Sequence, residues 1–178
     1  MAAGTVVSIA GPAADGFATD PSSVLEQVFL RIQRMRMADL PFLNPALAVA
    51  AVGFKPRGGC WSGVLVTPWF MSCLLLPQQG GRWRALAVGE SRLLRFPAGE
   101  FEFIGGFEPG LWDYQSCSLF SPLPQFADQA SARCAARTAL DTLFALPDPE
   151  AHGDNRPPGA VAAASMTRRD FLRGGRGR

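Results

Sequence analysis

From residue 47 to residue 120 the apolar runs are short, and Gly or Pro interrupts them every few positions. Runs of this length bounded by turn residues form strands, whereas helices need longer periodic stretches. Segments 47–54, 63–67 and 70–76 are of this kind, separated by the turn chemistry of Lys55-Pro56-Arg57-Gly58-Gly59 and Pro77-Gln78-Gln79-Gly80-Gly81. Further extended segments are expected at 83–88, 92–96 and 101–107, and another at 112–120 that Ser121-Pro122-Leu123-Pro124 stops. Most of the connections are too short to be helical crossovers, so the sheet is expected to be largely antiparallel.

Two helices flank this block. Leu25, Val28, Phe29, Ile32 and Met35 recur at helical spacing, with Gln27, Arg31 and Arg34 opposite. Asp20 offers an N-cap before Pro21 at the first helical position, and Ser23 with Glu26 has capping-box spacing. This helix should end near Met37, before Leu40-Pro41. A second helix is expected over 125–146, with Ala132, Ala136, Ala139, Leu140 and Leu143 on one side and Arg133, Arg137 and Asp141 on the other. The fold class that follows is α+β: a largely antiparallel sheet with both helices packed on one face, in a two-layer single domain. Residues 1–19 read as a flexible lead, 20–147 as the folded body, and 148–178 as a flexible Pro/Gly/Arg-rich tail.

With 48% hydrophobic and 18% charged residues, the body has enough apolar side chains to build a core. The net charge of +2 hides an asymmetry: six Arg and one Asp lie from Asn155 onward, which leaves the preceding chain at −3. So short a basic tail does not make a nucleic-acid-binding protein. The most apolar run, 63–76, contains Pro68 and falls short of the roughly 20 residues of a membrane helix. No N-terminal export leader is apparent, so a cytoplasmic protein without an integral membrane segment is expected.

Chemistry is sparse. There is no phosphate-binding G-x-x-x-x-G-K-[ST] loop and no G-x-S-x-G nucleophile elbow. The single His152 sits in linker-like sequence, which disfavours a Ser/His or Cys/His pair. Cys60, Cys73, Cys117 and Cys134 lack metal-ligand spacing and read as reduced thiols; no metal or cofactor is expected. The one acidic concentration is Glu90, Glu100, Glu102, Glu108 and Asp113. Carboxylates so placed either stay solvated, do acid–base work or hold arginines through charge-assisted pairs. Aromatics lie beside them. Trp69, Phe70, Trp112 and Tyr114 are candidates for an apolar shelf next to Glu100, Glu102, Glu108 and Asp113. A shelf with acids suits an Arg-Arg-x-Phe-Leu peptide.

Such a segment occurs in the chain itself. Ser165-Met166-Thr167-Arg168-Arg169-Asp170-Phe171-Leu172-Arg173 is similar to the start of a twin-arginine (Tat) export signal. Only five residues follow it, with no apolar run or cleavage site, so it is not expected to export its own chain. Thr167, Arg168, Arg169, Phe171, Leu172 and Arg173 could instead mimic another protein's signal and occupy the body's own binding surface. The alternatives are a solvated basic tail or direct recruitment of export machinery.

Four ordered blocks carry a resemblance. They are Gly63-Val64-Leu65-Val66-Thr67-Pro68-Trp69-Phe70-Met71, then Arg95-Phe96-Pro97-Ala98-Gly99-Glu100-Phe101-Glu102-Phe103-Ile104-Gly105, then Tyr114-Gln115-Ser116-Cys117-Ser118-Leu119-Phe120-Ser121-Pro122, then Phe126-Ala127-Asp128-Gln129-Ala130. Together they resemble the HybE family of [NiFe]-hydrogenase assembly chaperones over 21–146. The resemblance implies a non-catalytic cytoplasmic maturation factor. Its partners would be the hydrogenase small subunit with its Tat signal, and further candidates are the large subunit and other maturation factors. Some members carry an added rubredoxin domain, but this chain has no paired C-x-x-C units for that iron. The alternatives outside this family are a small hydrolase or transferase using the acidic cluster, or a stable scaffold of the maturation complex.

Overall fold

The computed structural model describes residues 16–38 and 40–145. In chain order these form α1 (Ser22–Ile32), which runs into a π-helical turn at Gln33–Met37, then β1 (Ala50–Arg57), β2 (Cys60–Val66), β3 (Met71–Pro77), β4 (Ser91–Phe96), β5 (Gly99–Glu108), β6 (Trp112–Phe120) and α2 (Gln129–Phe144). The six strands make one sheet of order β1-β2-β3-β6-β5-β4, antiparallel at every pairing. It is thus two three-stranded meanders joined where β3 pairs with β6. The expected α+β antiparallel domain is present, as are its two helices.

The helices do not share a face. Leu25, Val28 and Phe29 of α1 pack with Phe54, Trp61, Leu65, Leu74 and Leu76. The Ala132, Ala136, Ala139, Leu140 and Leu143 stripe of α2 packs with Val52, Val64, Val66, Cys73, Leu75, Phe103 and Cys117. Adjacent residues of β2 and β3 therefore enter opposite cores, and the arrangement has three layers rather than two. The physical reason lies in β2 and β3, which are apolar at almost every position because both their faces are covered.

Local chemistry explains the element ends. Asp20 is not the N-cap that was expected: Pro21 holds that position, and Asp20, one residue earlier, accepts from Ser22 N at 2.8 Å through Oδ1. Glu26 forms no capping box; its Oε1 accepts from Ala51 N at 2.9 Å and ties α1 to β1. Met35 is exposed, because the π-helical turn rotates it off the face that Leu25, Val28 and Phe29 bury. At the start of α2, Asp128 Oδ1 accepts from Ser131 N at 2.7 Å, which holds the Asp128 carboxyl below the usual range. Gly58 and Gly59, both at positive φ, form the two-residue turn between β1 and β2.

Two segments depart from expectation. Phe17, placed in the flexible lead, is buried among Trp61, Leu74 and Leu76, and its backbone brackets Gln78 in a parallel bridge. Residues 83–88, expected as a strand, are not one. The sheet order requires the chain to pass from central β3 to edge β4, and 78–90 does so by crossing β6 and β5 on the α2 face. Its backbone is satisfied on the way: Gln115 Nε2 donates to Arg84 O at 2.7 Å, and Gly89 N to Gly105 O at 2.9 Å.

Candidate protein-binding surface

α1 covers only β1–β3, so the β4–β5–β6 half of its face has no helix over it. Leu93 and Ile104 stand there as diagonal neighbours, since Leu93 pairs with Glu102 and Ser91 with Ile104. Both are exposed. Glu100 and Glu102 share this face by strand alternation. Glu100 Oε1 is held by Arg95 Nη2 at 2.8 Å, and Glu102 Oε1 accepts from Ser91 Oγ at 2.7 Å. Neither carboxylate lies in a cavity or faces the other as a buried acid–base pair would.

The β5–β6 hairpin ends in aromatics. Phe107 and Trp112 meet edge to face with centroids 6.2 Å apart, and they remain 47% and 52% exposed. Trp112 has φ 61°, among the described non-glycine residues a left-handed conformation shared by no other. Beside it Glu108 is 7% exposed and carries a two-pronged contact from Arg36, Nη1 to Oε2 at 2.9 Å and Nη2 to Oε1 at 3.2 Å. Arg31 Nη2 adds a hydrogen bond of 2.8 Å to Pro109 O. The hairpin is thereby lashed to α1 and its π-helical turn, where Met35 is exposed.

The expected site residues are thus separated. Trp69 is only 8% exposed; it stacks edge-on to Phe70, itself edge-on to Phe29, and both belong to the α1 core rather than to a shelf. Burial follows from the β2–β3 turn, in which Thr67 Oγ1 accepts from Trp69 N and Phe70 N and folds the pair inward. Tyr114 lies over Gly106, and burial together with the Glu108 charge pushes its phenol pKa up. Asp113 points to the α2 face, where its Oδ2 accepts from Trp83 Nε1 at 3.2 Å. Glu108 is engaged by arginines of its own chain. What remains on the open face is Glu100, Glu102 and Trp112, joined by Leu93 and Ile104, while Phe107 pairs with Asp113 and meets Trp112 at the hairpin end from the α2 side. Leucine and isoleucine at positions of β4 and β5 where alternation calls for polar residues were the available signal for Leu93 and Ile104. Thr167, Arg168, Arg169, Phe171, Leu172 and Arg173 lie outside the described residues.

Nucleophile chemistry finds little support. Cys73 and Cys117 are buried register partners on β3 and β6, and burial raises the Cys73 thiol far above its ordinary value. Half-buried Cys60 is also raised, since burial outweighs the opposing pull of Arg57 and Arg92. Among the described residues no three or more His, Cys, Asp or Glu side chains gather as a metal site. No described helix is long and apolar enough to cross a membrane.

The fold is an α+β domain with one sheet half free of a helix, where exposed apolar side chains stand between carboxylates. The family is given by comparison: residues 20–174 match the model described as "[NiFe]-hydrogenase assembly, chaperone, HybE", a span that includes the twin-arginine-like segment. The chain belongs to the HybE family of [NiFe]-hydrogenase assembly chaperones. It is 44% identical over 163 residues to Protein HoxT of Cupriavidus necator, covering 85% of this chain and 87% of that one. It is 38% identical over 163 residues to the hydrogenase expression/formation protein HupJ of Bradyrhizobium diazoefficiens, covering 92% and 93%. The solution structure of HybE from Escherichia coli matches with a TM-score of 0.61 at 28% identity, over 85% of this chain and 94% of that one.

Proposed function

We propose that this hydrogenase assembly chaperone acts by grip rather than by chemistry, holding the small subunit through its twin-arginine export signal in the cytoplasm until assembly is complete. The observation that carries this reading is the open half of the α1 face, where Glu100 and Glu102 flank exposed Leu93 and Ile104 and the hairpin ends at Trp112. Paired arginines would fork onto the carboxylates, displacing the Arg95 contact, while Phe and Leu of the signal would cover the apolar side chains. From Glu102 to the Glu108–Trp112 register pair is six residue steps, about 20 Å. An extended Arg-Arg-x-Phe-Leu segment with one flanking residue on either side spans about the same.

Thr167–Arg173 would compete for this surface as an internal mimic. A segment tethered by some 20 linker residues reaches about 25 Å and has an effective concentration near millimolar. The test measures affinity of a small-subunit signal peptide for the full chain, for the chain lacking 167–178, and for Glu100→Gln/Glu102→Gln. The reading expects tighter binding on deletion and weaker binding in the double variant. Unchanged affinity on deletion discards the mimic, and weaker affinity would favour recruitment by the tail. A double variant that binds normally discards the surface.

A further inference from the structure

The opposite face carries a second concavity that the signal-binding reading leaves unused. It lies beside the C-terminal end of α2, beneath the crossing segment, and encloses about 350 Å³. The side chains of Arg57, Arg82, Arg84 and Arg92 line it, and no Asp or Glu does. None of these four has a carboxylate partner among the described residues. Arg57 is held in place by Ser62, Nη1 to Oγ at 2.9 Å, and stacks 4.2 Å from the Phe144 ring centre. The Cys60 thiol on the wall keeps its proton, so it supplies no counter-charge.

Two polar atoms inside this wall have no partner: Arg92 Nε, a donor, and Gln115 Oε1, an acceptor. Gln115 is 1% exposed and lines the pocket, and its orientation is set because Nε2 already donates to Arg84 O. An unsatisfied buried acceptor next to uncompensated guanidinium groups asks for a ligand with both an anionic group and an N–H.

We propose that this pocket binds an acidic peptide segment of a partner polypeptide, its carboxylates forked onto Arg84 and Arg92 and a backbone N–H donated to Gln115 Oε1. Inorganic phosphate could satisfy the arginines and, through its P–OH, Gln115 Oε1, but it would leave the apolar walls uncovered. A peptide supplies both groups within one residue, and the apolar walls given by Trp83, Phe96 and Phe144 suit the intervening side chains. The pocket is separate from the open α1 face, so the two can hold different parts of one client.

The test uses full-length protein and a fluorescein-labelled acetyl-Gly-Asp-Glu-Asp-Leu amide, followed by anisotropy. The peptide with Asn and Gln in place of the acids should bind at least about tenfold more weakly, and inorganic phosphate should displace the label at least about tenfold less well than unlabelled acidic peptide. Arg84 is exposed, so Arg84→Gln leaves the fold intact and should cost about threefold; adding Arg92→Gln should bring the loss to about tenfold. Trp112→Gly, on the other site, should leave this binding within about twofold while reducing capture of the signal peptide. Equal binding of the neutral peptide, phosphate competing as well as the acidic peptide, or undiminished binding by the arginine variants would overturn the proposal. Asp148→Asn/Glu150→Gln separates a partner's carboxylates from the chain's own. Affinity within about twofold supports a partner ligand, whereas tightening of about tenfold would show that the chain fills its own pocket and would overturn it.

Discussion

Arg36 grips Glu108 with both guanidinium nitrogens, at 2.9 and 3.2 Å, across 72 positions of sequence. The contact fixes the end of the β5–β6 hairpin against the turn that extends α1, and so it sets where Trp112 stands. Arg36 itself is 60% exposed, which lowers the value of the pair below that of a fully buried one. Arg36→Ala leaves a buried carboxylate with Arg31 3.9 Å away as its remaining cation. The expected loss is about 1–2 kcal/mol, measured as a lower urea midpoint at unchanged slope. An unchanged midpoint would mean that the pair contributes nothing.

Tyr114 provides a pH handle on the same hairpin. Burial first, and the Glu108 charge second, raise its phenol above the ordinary value of 10.0. The folded state therefore favours the neutral phenol. That stability is fully present below pH 10 and is lost as pH rises through the folded pKa, because only the unfolded chain gains freely from ionising. The chain has one tyrosine, so tyrosinate absorbance reports this group alone. The midpoint should lie above that of a model tyrosine and move down in Glu108→Gln. Titration at the ordinary phenol value would contradict the packing.

Gly105 is the point at which the crossing segment rests on the sheet. A methyl there would run into Ala87 O and Leu86, and backbone bonds tie Gly105 to Gly89 and Glu90 on either side. Gly105→Ala should cost about 1–3 kcal/mol by overpacking. It should also loosen residues 83–90, which faster amide exchange at Gly89 would report. Normal exchange with full stability would show that the contact is not tight.

The buried face of α2 was legible, since its alanine–leucine stripe has one period and all five stripe residues are buried, but its start was not: the helix begins at Gln129, after the Asp128 cap, rather than at 125. Strand β6 was legible in both bounds, because Gly110 and Pro122 bracket an uninterrupted run. The crossing segment was not, since its apolar residues Trp83 and Leu86 look like those of a strand. What satisfies its backbone is Gln115, 31 positions from Arg84, and Gly105, which bonds Gly89 and Glu90, rather than a strand adjacent in sequence. The placement of the helices was readable in principle from the unbroken apolar character of β2 and β3, whereas adjacency of elements in sequence pointed to one face. The acidic cluster looked like a unit because its members are close in sequence. An extended strand instead carries Glu100 and Glu108 about 26 Å apart, and only long-range pairing shows that Glu108 serves Arg36.

Trp112 joins exposure to strain, and the two together make a sharp test. A bulky aromatic at φ 61° costs about 1–2 kcal/mol relative to glycine, which adopts that region freely. Its edge-to-face contact with Phe107 returns about 0.5–1.5 kcal/mol, so Trp112→Gly should leave stability within about 1 kcal/mol of the parent. A structural tryptophan, by contrast, would cost about 3–5 kcal/mol on removal. If strain is retained here for binding, the same variant should lower affinity for a small-subunit signal peptide by at least about tenfold. Thermal unfolding and anisotropy on one preparation read both quantities. A variant that unfolds several degrees earlier while binding normally would make Trp112 a packing residue and remove it from the surface.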